Sequence, residues 1–523
     1  MGWFSEVFGG GQKTRKLDFV QLLQSGSSAP AQAQTNGAVP SAPAPDARTW
    51  PLGQPLCHFE SADARGKIIR VPWTFGHSFE GLFVSGATGS GKTSGTGRAT
   101  ARAMLRAGYG GLVLCAKADE PDLWERYAQE EGRAGDVVRF GPGRGLGFNF
   151  LDYEISRGGA GGGLAMNAVE VLMQMAEVGG GAKNNEDDTW EKAARHALEN
   201  AMELCRLAGL SITMARLYEV LTGPTEAYQQ LVNQATGRAG ATDADREDLM
   251  AVRHYFEREW QPMADRQKSG VLMSITAVIS PFQRGAVRDL FTKATNVTPE
   301  DAFAGKIIVV DLPVKAYHEA GRMAAVLWKY LFQRAAERRT STERTRPLFL
   351  FADEAQLFVT SADAIFQTTA RASRVATVYL TQNLPNLYAE LGGDGRGKAR
   401  VDSLLGNLQT KVFHQNACPV TNQWTSETIA RVLVRRSGSS TNIGLENGQT
   451  GGNGRGGNAS AGLSYSEQMD FEVSPREFMT LAKGGPEYHH VVTAILFGGG
   501  RQFPPASRVW LPIAYNQLRP PKT

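Results

Sequence analysis

The chain has 523 residues, which is enough for two or three domains. Its hydrophobic content of 42% and charged content of 21% are ordinary for a soluble globular protein. The net charge of +4 is too small to indicate nucleic-acid binding by itself, so a DNA-binding surface would have to come from local clusters of basic residues.

Cysteine usage and hydropathy favour a cytoplasmic protein. The four cysteines lie far apart without a C-x-x-C pair, which argues against a zinc site and against a disulfide scaffold. The sequence has no run of eighteen or more apolar residues, so we expect no transmembrane helix. The N-terminus also lacks the apolar core and cleavage site of a signal peptide. The cysteines are Cys57, Cys115, Cys205 and Cys418.

Residues 1–50 form a separate N-terminal segment. Residues 25–49 are rich in Ala, Pro, Ser and Gln and cannot bury enough apolar surface to offset ordering entropy, so we predict a disordered linker. A short apolar tip precedes the linker and would either touch a membrane or a membrane partner or, more simply, fray. The tip comprises Trp3, Phe4, Val7 and Phe8.

A phosphate-binding loop follows the first strongly apolar run. The stretch GLFVSGATGSGKT contains the P-loop pattern G-x-x-x-x-G-K-[ST] and leads into a predicted helix at 98–105. Glycines let successive backbone N–H groups converge on phosphate oxygens. Lys92 would reach the β- and γ-phosphates of ATP, and the Thr93 hydroxyl would hold Mg²⁺. The predicted nucleotide-binding residues are Gly86, Ala87, Thr88, Gly89, Ser90, Gly91, Lys92 and Thr93.

Short apolar runs alternate with helical segments along much of the chain, which predicts an α/β fold with a mainly parallel sheet covered on both faces. Residues 160–285 differ, because they show helical spacing and no convincing strand. We therefore predict a nucleotide-binding domain formed by 51–158 and 286–523, with an all-α domain inserted at 159–285. The predicted strands are Gly81–Ser85, Gly111–Cys115, Val137–Phe140, Ile307–Leu312, Leu348–Phe351, Thr377–Leu380 and Val491–Leu496.

Two polar stretches are predicted to be loops. Ser437–Gly462 is rich in Gly and Asn, and it would be either a plain flexible loop or one that faces the substrate. The segment GGDGRGKAR carries Arg396, Lys398 and Arg400 between glycines. It would be either a solvated surface loop or a contact for the phosphates of DNA.

A second acidic site is needed for ATP hydrolysis. Asp353 and Glu354 follow the run LFLFA, at the strand end where parallel sheets place their ligands. Asp353 would bind Mg²⁺ through water, and Glu354 would act as general base on the attacking water. Asp311 also ends an apolar run, but Leu-Pro follows it and offers no base, so we interpret it as the end of a core strand.

Downstream, a basic turn leads into a further buried strand that ends in Gln382. A glutamine there can bond the γ-phosphate or the attacking water and so report whether nucleotide is bound. Arg371 and Arg374 lie in the turn and would be either ordinary surface charges or, in a ring-shaped ATPase, a residue that reaches the neighbouring subunit's site.

These segments together resemble the coupling ATPases of type IV secretion and conjugation, the TraG/TraD type within the HerA–FtsK branch of RecA-like motors. The resemblance rests on FADEAQLF, ARASRVATVYLTQNLPNLYAELGG and LLGNLQTKVFHQN. An earlier stretch is similar to the family's second strand and Asn-x-Leu-Asp segment, at Asn149, Leu151 and Asp152, and VSPREFMTLAKGGPEYHH resembles its C-terminal part. The likeness covers roughly residues 75–155 and 295–510.

The resemblance implies a RecA-like P-loop NTPase with an all-α domain, and it supports Lys92, Thr93, Asp353, Glu354 and Gln382 in the roles given above. It also implies that Arg371 is an arginine finger, with Arg374 the weaker choice. It implies a homohexameric ring that binds single-stranded DNA in its central channel without sequence specificity. It also implies that the ring recruits a relaxase or effector proteins to secretion-channel proteins.

One departure from the family concerns the membrane. Coupling ATPases usually begin with transmembrane helices, whereas this chain shows a short apolar tip and a linker. We therefore expect either a membrane-protein recruiter that binds the N-terminal segment at the inner membrane, or a soluble hexameric DNA pump for defence, segregation or mobile-element processing. A nucleotide-switched adaptor for protein substrates is a third alternative.

Overall fold

The computed structural model describes residues 47–62, 67–179, 187–238, 242–443, 459–504 and 508–518. The predicted apolar tip and nearly all of the predicted linker lie outside these residues, as does the middle of the Gly/Asn-rich stretch, 444–458. Among the described helices, none has a segment both long and apolar enough to cross a membrane.

Thirteen strands occur in the described residues. They are β1 (Pro55–Ala62), β2 (Ile68–Thr74), β3 (Leu82–Ser85), β4 (Gly110–Leu114), β5 (Val137–Phe140), β6 (Ile307–Val310), β7 (Leu348–Asp353), β8 (Val375–Thr381), β9 (Thr410–Phe413), β10 (Arg431–Ile443), β11 (Ala459–Phe471), β12 (Val491–Gly498) and β13 (Trp510–Asn516).

Helices fill most of the connections between the strands. They are α1 (Phe75–Ser78), α2 (Arg98–Arg106), α3 (Glu120–Glu130), α4 (Phe150–Ser156), α5 (Ala165–Val178), α6 (Asp187–Leu207), α7 (Met214–Thr222), α8 (Thr225–Arg238), α9 (Asp243–His254), α10 (Asp265–Ile279), α11 (Gly285–Thr292), α12 (Val314–Arg338, kinked at His318), α13 (Ser361–Thr369), α14 (Leu384–Glu390), α15 (Gly395–Asn407), α16 (Pro419–Ile429) and α17 (Pro475–Met479). One-turn π-helices occur at Thr93–Gly97 and Tyr255–Trp260.

Eleven strands form one sheet in the order β2-β1-β13-β12-β9-β3-β8-β7-β4-β6-β5. The seven strands from β9 to β5 are parallel, so their carboxyl ends share one edge of the sheet. The other four pair antiparallel and extend the sheet beyond β9. The predicted α/β fold with a mainly parallel sheet is confirmed, and each of the seven predicted strands is present.

Residues alternate between two cores because successive side chains of a strand point to opposite faces. On one face, Phe349 and Phe351 of β7 pack against Trp124 of α3. On the other face, Leu348 and Leu350 belong to a core that is shared with α12 and continues into the helices after β5. The parallel strands are buried on both faces, which explains why their sequences are continuous apolar runs.

The described residues between β5 and β6 contain helices and no strand, as the sequence predicts. Besides the shared apolar core, polar contacts join these helices to the segment after β5. Asn149 caps α4, and Asp152 accepts hydrogen bonds from the Ile212 backbone N–H at 2.6 Å and from the Ser211 hydroxyl. The Asn-x-Leu-Asp segment therefore fixes the turn before α7 to the start of α4. The domain bounds at 159 and 285 remain predictions.

Both predicted loops are wrong in part. The first and last residues of the stretch Ser437–Gly462 are not in a loop. They belong to strands β10 and β11, which pair antiparallel as a two-stranded ribbon. The segment GGDGRGKAR does not stay a loop, because Asp394 caps the Gly397 backbone N–H at 2.7 Å and α15 begins at Gly395. The basic residues of this segment therefore lie on the first turns of a helix.

Candidate active site

The P-loop connects the carboxyl end of β3 to the helix that begins at Thr93. Gly89 and Gly91 both have left-handed backbones, with φ of 74° and 81°, which L side chains rarely adopt. A Cβ at Gly91 would lie 2.4 Å from Val492 Cγ2, whereas one at Gly89 would meet open space. The turn is thus closed against the sheet at Gly91 and open at Gly89, where phosphate can enter.

Neighbouring strands hold the start of the loop. The Gly86 N–H donates to the Thr381 carbonyl at 3.1 Å, and the Ala87 N–H donates to the Gln415 carbonyl at 2.8 Å. These acceptors follow or end β8 and β9, so the loop is fixed to the same edge as the acidic pair.

Asp353 and Glu354 lie opposite the P-loop at the end of β7. The Thr93 hydroxyl donates to Asp353 Oδ2 at 2.7 Å, and Lys92 Nζ lies 3.5 Å from Glu354 Oε1. Lys92, Asp353 and Glu354 are each about 95% buried. The structure thus brings together both predicted metal-binding residues and the predicted base.

Glu354 has an unusual backbone and several side-chain partners. Its φ of 64° is left-handed, an uncommon conformation for a non-glycine residue that often marks functional sites. Gln356 Nε2 donates to Glu354 Oε2 at 2.8 Å, and Gln382 Nε2 donates to the same oxygen at 3.1 Å. Burial opposes ionisation, but Lys92, these two amides and Lys117 outweigh it and lower the pKa of Glu354. The carboxylate is therefore ionised at neutral pH, as a general base must be.

Gln382, the predicted sensor, touches the predicted base directly. Its backbone carbonyl also accepts a hydrogen bond from Asn416 Nδ2 at 2.8 Å. The Asn416 backbone carbonyl accepts a hydrogen bond from the side-chain amide of Asn422 on α16. The Asn416 backbone N–H donates to the Phe478 carbonyl on α17. These two helices flank the β10–β11 ribbon, so the sensor is linked through Asn416 to the base of the ribbon, where Arg431 pairs with Phe471.

Two further charged residues, not assigned from the sequence, complete the site. Lys117 follows β4, and its Nζ lies 3.5 Å from Asp353 Oδ2 and 3.5 Å from Glu354 Oε1. Burial would lower the pKa of Lys117, but Asp353, Glu120 and Glu354 outweigh burial and raise it. Burial and the charge of Asp353 raise the pKa of Glu120 to about 8. The sequence offered a weak signal for Lys117, which directly follows an apolar run, whereas Glu120 lies three residues further along.

The residues present fit a Mg²⁺-nucleotide. Asp353 Oδ1 is buried and accepts no hydrogen bond from any residue that the structure describes. A buried carboxylate oxygen without a partner is costly, and a metal-bound water would satisfy it. Asp353 and the Thr93 hydroxyl are hard oxygen ligands beside a loop that is open to phosphate, which is the donor set that Mg²⁺ uses with nucleotides.

Arg371 and Arg374 lie at the opposite edge of the sheet, before the start of β8. Since β8 has seven residues, about 20 Å separates this edge from the P-loop. The Arg371 side chain is 67% exposed and lies 3.6 Å from Glu80. Arg374 is buried, with its guanidinium 5.0 Å from the Phe75 ring. Arg371 therefore does not join its own chain's site, and Arg374 is part of the core.

The remaining predicted residues lie apart from the nucleotide site. Arg396, Lys398 and Arg400 are exposed on α15, and Lys398 lies 3.6 Å from Asp402. Asp311 follows β6 and accepts a hydrogen bond from Arg139 at 2.6 Å, which agrees with its interpretation as the end of a core strand.

Comparison with solved structures identifies the fold, whereas neither a scan of protein-family models nor a search of curated proteins gives a match. The chain is similar to the unbound bacterial conjugative coupling protein TrwBdeltaN70, with a TM-score of 0.58, 17% identity, and 86% of this chain and 87% of that chain covered. It is also similar to the plasmid coupling protein TrwB with the ATP analogue ADPNP, at a TM-score of 0.56 and 17% identity, covering 85% and 86%.

TrwB with ADP and Mg²⁺ aligns at a TM-score of 0.55 and 17% identity, again over 85% of this chain and 86% of that chain. At these identities the likeness establishes the fold. The resemblance noted in the sequence is thereby confirmed at the level of the fold: a mainly parallel α/β sheet with a helical region between β5 and β6, as in these coupling-protein structures.

Proposed function

We propose that this chain is an ATP-driven DNA translocase that couples DNA, or a relaxase–DNA complex, to a type IV secretion or conjugation channel. The observation that carries the proposal is the assembly of Lys92, Thr93, Asp353, Glu354 and Gln382 at one edge of the sheet. The fold supports the coupling role, because solved structures of similar fold are described as conjugative or plasmid coupling proteins.

The geometry supports a proposed task for each residue. The P-loop would hold the phosphates, with Lys92 as a point charge, while Thr93 and Asp353 would hold Mg²⁺, which supplies charge neutralisation on the phosphates. Glu354 would accept the proton of the attacking water, and Gln382 would bind that water or the γ-phosphate. Because Gln382 bonds both Glu354 and Asn416, its position should depend on the bound nucleotide.

A pure nucleotide switch would not need this arrangement. Lys92, Gln356 and Gln382 all act to keep Glu354 ionised and oriented, which favours turnover over slow switching. The test is ATP hydrolysis by the purified chain with and without single-stranded DNA, followed by displacement of a labelled strand. DNA-stimulated hydrolysis supports a translocase, and hydrolysis that responds only to protein partners would favour the adaptor alternative.

Lys92→Ala should weaken nucleotide binding and abolish hydrolysis. The ammonium is buried beside Glu354, so its loss removes the charge that faces the β- and γ-phosphates and one of the two lysines that lie 3.5 Å from Glu354 Oε1. Removing a buried charged partner costs roughly 2–5 kcal/mol, which corresponds to a loss in affinity of at least tenfold. Binding of a fluorescent ATP analogue measures this. Lys306→Met, which removes an exposed cation before β6, is the control and should bind normally.

Replacing Arg396, Lys398 and Arg400 by Ala should remove DNA stimulation and spare basal hydrolysis. Because these three residues lie on α15, we expect them to contribute unequally to DNA binding. Arg396 and Arg400 are four residues apart and share a helix face, whereas Lys398 pairs with Asp402. The slope of log affinity against log salt should flatten by up to ~2–3 units, at roughly 0.7–0.9 per lost phosphate contact.

The control for this experiment is Arg70→Ala, an exposed arginine on β2 that is paired with Glu60. Arg70→Ala should leave the salt slope unchanged. If the triple variant also keeps the wild-type slope and stimulation, DNA is held elsewhere on the chain.

A further inference from the structure

Lys117 has a position that the P-loop mechanism does not explain. Its ammonium lies 3.5 Å from the predicted metal-binding Asp353 Oδ2 and 3.5 Å from the predicted base, at Glu354 Oε1. It thus bridges two carboxylates that serve different steps. The Lys117 side chain is 32% exposed, so it can leave this position without disturbing the core.

The turn that presents Lys117 is fixed by Glu120. Glu120 Oε2 accepts hydrogen bonds from the backbone N–H of Ala116 at 2.6 Å and of Lys117 at 3.3 Å. Glu120 Oε1 lies 3.6 Å from Lys117 Nζ. The lysine is therefore built into the site by its own turn and is not a surface cation that happens to lie nearby.

Lys117 and the Thr93 hydroxyl share the same oxygen of Asp353, while Asp353 Oδ1 has no hydrogen-bond partner among the described residues. A Mg²⁺ ion held by Thr93 and Asp353 would therefore meet the lysine's charge directly. Two cations near one carboxylate repel each other, so only one of them can pair closely with it.

We propose that Lys117 is the internal counter-ion of this site: it pairs with Asp353 and Glu354 in the absence of Mg²⁺ and competes with Mg²⁺ for them. The proposal rests on the nucleotide site described above and adds a positioning residue to it. Before Mg²⁺ binds, Lys117 keeps the two buried carboxylates from repelling each other. When Mg²⁺ binds, the ammonium must withdraw from Asp353, which reduces the apparent affinity for the metal.

The test is the ratio of the Kd for a fluorescent ADP analogue in EDTA to its Kd in saturating Mg²⁺. ADP is chosen because it has no γ-phosphate that Lys117 could contact and because it is not turned over. Lys117→Met should raise this ratio by about fivefold, the size expected from loss of one partly exposed ion pair. Without nucleotide, the same variant should unfold at a lower temperature in EDTA and recover part of the loss in Mg²⁺.

Lys306→Met is the matched control, because Lys306 is also a lysine paired with a carboxylate, Asp136, but lies before the start of β6. It should leave the ratio unchanged. Lys117→Gln keeps hydrogen-bonding capacity without charge, and it replaces the Met variant if that variant does not fold.

An unchanged or lower ratio in Lys117→Met would overturn the proposal and would indicate that the lysine is a phosphate ligand or only a structural residue. Wild-type protein whose nucleotide binding does not respond to Mg²⁺ would instead contradict the proposed function. The two failures are therefore distinguishable in one set of titrations.

Discussion

Glu354→Gln should bind ATP with nearly wild-type affinity and hydrolyse it ~10²–10⁴-fold more slowly, the usual contribution of a positioned general base. The amide is nearly the same shape as the carboxylate, so its oxygen can still accept hydrogen bonds from Gln356 and Gln382. It cannot take a proton from water, however. Single-turnover hydrolysis, measured with DNA present, separates this loss from changes in binding.

Asp311→Asn is the matched control for Glu354→Gln. Asp311 is also an acidic residue directly after an apolar parallel strand, but it pairs with Arg139 and lies away from the P-loop. Its neutralisation should leave turnover unchanged. Wild-type turnover in Glu354→Gln would show that another group activates the water, and Glu120 and Asp353 are the carboxylates that remain near the site.

The left-handed backbone at Glu354 adds an independent reason to expect a functional role. A non-glycine residue in this region costs roughly 1–3 kcal/mol, and such strain persists only where the surrounding structure imposes it. Glu354→Gly should therefore stabilise the backbone locally while it removes the base. The strain follows from the abrupt end of β7, which turns Glu354 toward Lys92.

The parallel strands and the nucleotide-binding loop were predictable because each is encoded locally. Strands such as Ile307–Val310 are short β-branched runs, and the P-loop has a fixed glycine spacing. Placing Asp353 beside Thr93 required one further rule, that carboxyl ends of parallel strands share an edge. The structure confirms that placement with a hydrogen bond of 2.7 Å between residues 260 positions apart.

Strand β9 was missed although it pairs directly with β3. Its sequence TKVF contains Lys411, which interrupts the apolar run. In the structure, Lys411 is buried and donates to the Leu408 carbonyl at 2.6 Å, and burial lowers its pKa to about 8. A buried lysine that is satisfied by a local carbonyl cannot be distinguished from a surface lysine in a single sequence.

Helix α15 and Lys117 were missed for different reasons. The glycines around Arg396 suggested a loop, but the cap by Asp394 and packing of Val401 and Leu404 stabilise a helix despite two early glycines. Lys117 has no motif of its own. Its role depends on the adjacency of β4 and β7, strands that are more than two hundred residues apart in sequence.

Arg371→Ala should leave ATP affinity nearly intact and reduce kcat, because Arg371 lies at the wrong edge of the sheet to serve its own site. Arginine fingers contribute roughly 10³-fold or more in GTPases, and we expect a loss of at least tenfold here. The Arg371 side chain is 67% exposed and pairs with Glu80 at 3.6 Å, a weak surface pair that it can leave for a neighbour's phosphates. Arg334→Ala, another exposed arginine paired with a glutamate, is the control and should keep full activity.

Mixing Arg371→Ala subunits with Lys92→Ala subunits should restore part of the activity that each variant lacks. Arg371 and Lys92 lie at opposite edges of the same chain, so a mixed ring contains interfaces that join the intact P-loop of one subunit to the intact arginine of the next. If both residues acted within one chain, every site in the mixture would still be defective. Hydrolysis is measured against the mixing ratio after subunit exchange has been verified by energy transfer between labelled chains. Activity that stays at the level of the separate variants, in rings that do exchange, would contradict action between subunits and return Arg371 to the role of a surface charge.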